Sequence, residues 1–183
     1  MKKIFTTAIA LIGLILSAPI SATDYSPQTV HINKNVSLSI PRSWTRRSNL
    51  PIKNLAALFA PNMDMNLPNV SIFVIPHSSM DPREYVRNLA QHTSNIHVFA
   101  LFKKELGDDE AVIIDMSTNR QEVYEERHFL WRHKTIKNHS TRSIHAVFEH
   151  NDTLFVVGCS AATDVHIRDC QLIMNSLKAH SKK

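Results

Sequence analysis

The sequence predicts an α+β fold, a three-layer α/β/α sandwich around a mainly antiparallel sheet. Strand-like segments outnumber helical ones along the chain. Three strand segments are continuously apolar, at 71–75, 112–114 and 155–157, and such strands are typically covered on both faces. Two segments carry helix signals, so one helix can cover each face of the sheet.

The first half of the domain is predicted to contain short strands. Segments 30–32 and 36–40 alternate in polarity across Asn33-Lys34-Asn35, which indicates either a hairpin or one strand with a tight bend. Segment 55–60 is apolar but short, so its periodicity does not separate strand from helix. Segment 70–75 is a buried strand that ends at Pro76.

A helix is predicted to begin after Asp81 and to run to about Thr93. Asp81 is a suitable N-cap, Pro82 suits the first helical position, and Glu84 can bond back to the cap. Strands are expected to follow at 96–102, 111–116, 122–135, 144–148 and 154–159.

The last two of these strands and the final helix form the C-terminal part of the domain. Asn151-Asp152 is a favourable hairpin turn, and helical spacing of apolar residues predicts a helix over 164–179. Cys170 lies on the apolar face of that helix, and Cys159 ends the preceding strand. We expect a Cys159–Cys170 disulfide in an oxidising compartment; two separate buried thiols are the alternative.

Residues 1–22 are predicted to be a secretory signal peptide. Lys2 and Lys3 precede an apolar stretch over 4–16, and Ser21-Ala22 offers a cleavage point before Thr23. An uncleaved anchor is the alternative, but the stretch is shorter than the ~20 residues of a spanning helix. The mature protein, 23–183, is expected to be one domain without stable membrane insertion, periplasmic or secreted.

The order of these segments resembles a known fold. The segments "VSLSIPRSW" (36–44), "NVSIFVIP" (69–76), "DPREY" (81–85) and "TLFVVGCSAATDVHIRDCQLIMNSLK" (153–178) stand in the order found in the Mog1/PsbP-like fold. That group includes the DcrB-type bacterial envelope proteins. The resemblance implies a protein that binds or assists other proteins, and it implies no catalytic residues.

Charge is segregated along the second half of the chain. Half of the sixteen acidic residues lie in 105–126, whereas 127–148 contains none. One interpretation is cross-strand pairing of opposite charges. The other is a basic strand region that binds an anionic or protein partner of the envelope. Its candidate binding residues are Arg127, Phe129, Trp131, Arg132, Lys134, Lys137 and Arg142.

Signatures of other function classes are missing from the sequence. The three glycines form no phosphate-binding loop, and a formal charge of +5, or +3 after loss of Lys2 and Lys3, does not favour nucleic acid. No cofactor or metal is expected. Alternatives are a hydrolase with an unrecognised site, for which Ser160, His166 and Asp169 are generic candidates, and a metal-binding periplasmic protein using histidines such as His133 and His145.

We therefore expect an exported, non-enzymatic binding or assembly protein.

Overall fold

The structure is a computed structural model, and it describes residues 26–47, 51–61, 67–92, 95–128, 131–162 and 164–180. The predicted signal peptide lies outside these residues. The described part contains ten strands and two helices. In chain order they are β1 (Pro27–His31), β2 (Val36–Pro41), β3 (Thr45–Arg47), β4 (Leu55–Ala60), β5 (Asn69–Pro76), α1 (Pro82–His92), β6 (Ile96–Leu106), β7 (Asp109–His128), β8 (Trp131–His150), β9 (Thr153–Ala161), α2 (Asp164–Ser176) and β10 (Lys178–Ala179).

The strands form two sheets in which all the pairings are antiparallel. The larger sheet has seven strands in the order β3-β4-β5-β9-β8-β7-β6, and the smaller has the order β1-β2-β10. The three continuously apolar segments belong to β5, β7 and β9, which are all interior strands. Their predicted coverage on both faces is confirmed, because successive side chains of these strands enter two different cores.

The two cores lie on opposite faces of the large sheet. Val112 and Ile114 of β7 pack with Val86 of α1, whereas Ile113 packs with Ile173 of α2 and with Leu38 of β2. We call these sides the α1 face and the α2 face. The small sheet shares the α2 face with the helix. The described chain is mainly strand, so the predicted α/β/α sandwich is an incomplete description of the fold.

Several local predictions are confirmed. Asn33 Oδ1 accepts hydrogen bonds from the N–H groups of Asn35 and Val36, at 2.9 and 2.7 Å, and closes the β1–β2 hairpin. Asp81 Oδ1 accepts a bond from Arg83 N–H at 2.7 Å and caps α1. Segment 55–60, which periodicity left open, is strand β4.

The C-terminal helix ends earlier than predicted, at Ser176 instead of near Ala179. Lys104 Nζ donates hydrogen bonds to the carbonyls of Met174 and Asn175, at 2.6 and 3.0 Å, and so satisfies the last turn of α2. Lys178 and Ala179 then pair with β2. Pairing with a distant strand thus replaces one more helical turn.

The disulfide between Cys159 and Cys170 is present in the structure, with the Cα atoms 5.4 Å apart. It joins β9 to α2, and both cysteines are fully buried. The bond therefore fixes the terminal helix to an interior strand of the large sheet.

Candidate functional site

The longest strands of the sheet, β7 and β8, extend past their neighbours. Pairing of β6 with β7 ends at Ile96 and Thr118, and pairing of β9 with β8 ends at Ala161 and Arg142. Beyond these points, 119–128 of β7 and 131–140 of β8 pair with each other. We call these two segments the distal hairpin.

Part of the distal hairpin, in strand β8, is open to solvent. Residues 136–140 of β8 are all exposed, and Ile136 is 56% accessible. Because neighbouring residues of a strand point to opposite sides, both sides of the ribbon are open to solvent here. A two-stranded ribbon is at best marginally stable alone, so it depends on cross-strand pairs.

The register of the distal hairpin places acidic positions opposite basic ones. The pairs are Glu122 with Lys137, Glu125 with Lys134, and Glu126 with His133. This arrangement supports the interpretation of charge segregation as cross-strand pairing. Towards the turn the pattern changes, because Arg127 is paired with Arg132 and His128 with Trp131. The hairpin end therefore carries basic positions without an acidic cross-strand partner.

The structure divides the predicted binding residues between two places. Arg127, Trp131, Arg132, Lys134 and Lys137 belong to the strands of the distal hairpin, and Lys137 is exposed. Phe129 lies outside the described residues.

Arg142 belongs instead to the base of the hairpin. Its guanidinium donates two hydrogen bonds to the Asp115 carboxylate, at 2.9 and 2.7 Å. It also stacks 4.6 Å from the centroid of the Phe99 ring. Asp115 is buried, and a bidentate pair of this kind holds both groups in one geometry. Arg142 therefore ties β8 to β7 where the distal hairpin leaves the sheet.

The edge strand β6 exposes apolar side chains that the sequence analysis did not single out. Leu101 is 61% accessible, Phe102 53%, Phe99 51% and Val98 40%. Val98 and Leu101 are paired with Met116 and Ile114, which face α1. The apolar run of β6 is visible in the sequence, but its place at the sheet edge depends on strand order.

Two cavities flank β6, one on each face. The larger, about 460 Å³, lies between α1 and β6 over Val112 and Ile114. The smaller, about 250 Å³, lies under the end of α2 and is bordered by Asp115 and Lys104. Burial lowers the pKa of the Lys104 ammonium, which is also bonded to the end of α2. Lys104 therefore has a structural role at the end of α2.

The histidines proposed for a metal do not meet in this fold. His133 and His145 lie on the same strand, β8, twelve residues apart, a separation of roughly 40 Å along an extended chain. His145 is half-buried beside Gly158, and desolvation lowers its pKa to about 4. Within the described residues, no three His, Cys, Asp or Glu side chains are grouped as a metal would require.

The generic hydrolase candidates are also separated. Ser160 follows Cys159 on β9, and since Cys159 faces α2, Ser160 faces the α1 side. His166 and Asp169 belong to α2 on the opposite face, with His166 Nδ1 3.5 Å from the Asp169 carboxylate. The three side chains therefore do not form a catalytic triad.

Neither described helix has the length and the apolar character that crossing a membrane requires.

Comparison with known proteins decides the fold. Cyanobacterial PsbP (CyanoP) from Synechocystis sp. PCC 6803 superposes with a TM-score of 0.56 at 9% identity, over 95% of this chain and 98% of that chain. The chain has a Mog1/PsbP-like fold. The predicted fold resemblance is therefore confirmed at the level of structure. No protein-family model matches this chain, and no curated protein sequence matches it.

Two further solved structures are similar to this chain. LpqN, involved in cell envelope biogenesis of Mycobacterium tuberculosis, has a TM-score of 0.48 at 13% identity, over 85% of this chain and 91% of that chain. A protein from Bacteroides thetaiotaomicron has a TM-score of 0.44 at 12% identity, over 80% of this chain and 46% of that chain.

Proposed function

We propose that this chain is an exported, non-enzymatic binding protein of the bacterial envelope, and that the end of its distal hairpin contacts an anionic surface. The observation that carries the proposal is the solvent exposure of both sides of the ribbon over residues 136–140. A strand segment that is exposed on both sides is available for an intermolecular contact.

The charge register supports an anionic partner. Arg127 and Arg132 are paired across the hairpin, and like charges directly opposite each other destabilise a strand pair. An anionic partner removes that cost by neutralising both. The sequence between them, His128-Phe129-Leu130-Trp131, is apolar and aromatic, which is typical of segments at a lipid–water interface. We therefore favour an anionic lipid surface over an acidic protein.

The location rests on independent features. The first 22 residues have the three parts of a signal peptide, and a buried disulfide is typical of an oxidising compartment. If the proposal is correct, N-terminal sequencing of the protein recovered from the envelope fraction begins near Thr23. A chain that retains Met1 and remains with the membrane after a high-salt wash would contradict the proposed cleavage.

Vesicle sedimentation tests the binding surface. The mature chain is mixed with vesicles of phosphatidylglycerol and phosphatidylcholine, or of phosphatidylcholine alone. We expect sedimentation with the anionic vesicles only, decreasing with added salt. The Arg127→Glu/Arg132→Glu variant is expected to lose more than tenfold in affinity, because each Lys or Arg near such a surface contributes about 1 kcal/mol.

A matched variant separates the hairpin from overall charge. Lys34→Glu/Lys53→Glu makes the same change in net charge at two exposed positions outside the hairpin. It is expected to bind nearly as well as the unmodified chain. Equal losses in both variants would show that net charge is responsible and would contradict a role for the hairpin. Absence of vesicle binding, together with capture of an acidic protein through Arg127 and Arg132, would favour a protein partner.

A further inference from the structure

The groove between α1 and the edge strand β6 has an apolar floor and a cationic rim. Val112 and Ile114 of β7 form its floor, with Val86 of α1 beside them. Leu101 and Val98 of β6 form the outer wall and remain 61% and 40% accessible. Contact of these apolar side chains with water is unfavourable in free energy, and an apolar ligand in the groove would remove that contact.

The rim of the groove carries three cationic side chains. Arg83 and Arg87 are one helical turn apart on α1, on the side that lines the groove, and Lys103 lies across from them on β6. Glu110 accepts from Lys103 Nζ at 2.5 Å and lies 3.7 Å from Arg83, and these two cations lower the pKa of its carboxyl group. Arg87 makes no ion pair with the described residues. Glu110 therefore pairs with two of the three cations, and the residues that line the groove carry a positive charge.

The volume of the groove fits a small amphiphile. About 460 Å³ lies within the range of roughly 300–1,000 Å³ that small-molecule sites occupy. Nucleotides and sugars would bring polar surface onto Val112, Ile114 and Leu101 without hydrogen-bonding partners there. An acyl chain would fill the apolar floor, and an acidic head group would reach Arg87.

We propose that this groove binds a single-chain amphiphile with an anionic head, of the fatty-acid class. The chain lies along β6 over Val112 and Ile114, and the head group pairs with Arg87 at the rim. The site shares no residue with the distal hairpin, so it stands or fails independently of the proposed vesicle contact.

Titration calorimetry below the micelle concentration tests the groove, with dodecanoate as the probe. Dodecyltrimethylammonium has the same chain with the opposite charge, and butanoate has the same head with little chain. We expect dodecanoate to bind at least about tenfold more tightly than either, since chain burial and head-group charge both contribute. Equal affinity for the two dodecyl compounds would overturn the assignment of the cationic rim, and no binding of dodecanoate would overturn the site.

Two groove variants and two matched controls locate the binding. Leu101→Asn and Arg87→Gln change exposed side chains, so folding should be retained, which thermal melting verifies. Each is expected to weaken dodecanoate binding by about tenfold. Leu172→Asn and Arg168→Gln make the same changes on exposed positions of α2 and are expected to bind normally. Equal weakening by groove and control variants would refute the site.

The Arg127→Glu/Arg132→Glu chain should bind dodecanoate with unchanged affinity. If it does not, the two surfaces are not independent and the site assigned here is wrong.

Discussion

Removal of the Cys159–Cys170 disulfide should lower stability mainly through the unfolded chain. The bond closes a loop with a sequence separation of 11 residues. Loop-closure entropy for such a length corresponds to about 3 kcal/mol at 25 °C. In the folded state α2 keeps other attachments, since Ser39 N–H donates to Ser176 Oγ at 2.7 Å and Lys104 bonds to the last turn. The double variant Cys159→Ala/Cys170→Ala should therefore fold.

Urea unfolding, followed by the fluorescence of the buried Trp44, measures this loss. The variant should have a lower midpoint and a steeper dependence on urea, because an unfolded chain without the cross-link exposes more surface. A loss of about 3 kcal/mol corresponds to a decrease in Tm of roughly 6–12 °C for a domain of this size. Dithiothreitol should lower the urea midpoint of the unmodified chain by a similar amount and leave the midpoint of the variant unchanged. Equal midpoints for the variant and the oxidised chain would refute this reasoning.

Three further substitutions test other parts of the structure. Burial lowers the pKa of His145 to about 4, so its stabilising contribution is present above pH 6.5 and is lost as the pH falls from 6.5 towards 4. Between pH 7 and pH 5 the free energy of unfolding of the unmodified chain should decrease by up to about 2 kcal/mol more than that of His145→Gln. Parallel pH profiles of stability for the two chains would contradict this. Gly107→Ala should lower the free energy of unfolding in urea by at least about 1–2 kcal/mol, since the residue has a φ of +73° and the added Cβ would lie 2.8 Å from the Ala179 carbonyl oxygen. A change under about 0.5 kcal/mol would show that β10 can move away at little cost. Asp115→Asn should lower the free energy of unfolding by about 1–3 kcal/mol, because it weakens the bidentate pair with Arg142. A double-mutant cycle with Arg142→Gln should show coupling between the two residues. Additive losses would indicate that the two residues contribute to stability independently.

The local elements were largely predictable because their signals lie within a few residues. Asp81 caps α1 through bonds to residues two and three positions away. Asn151 and Asp152 both have positive φ in the turn between β8 and β9, as their residue types favour. The disulfide was also predictable, because Cys159 ends a strand and Cys170 lies on the apolar face of the next helix.

The candidate surfaces were predictable only in part. The basic segment 127–148 and its acidic predecessor are visible in the sequence. The register that pairs Glu122 with Lys137 and leaves Arg127 opposite Arg132 depends on the position of the β7–β8 turn. Arg142 has the same residue type as Arg132, yet a buried carboxylate binds it while Arg132 stands near the hairpin end.

By itself the sequence determined the leader-like N-terminus, the two helix starts, the apolar strands covered on both faces and the charge segregation, because these depend on residue type and short-range periodicity. Only the tertiary structure decided that β6 lies at an edge beside an open groove, that β7 and β8 extend past their neighbours, and that Lys178 and Ala179 pair with β2 instead of continuing α2. Those outcomes depend on which distant segments pair with each other. The pairing is determined by many weak contacts between residues far apart in the chain, and a local sequence pattern contains no information about those contacts.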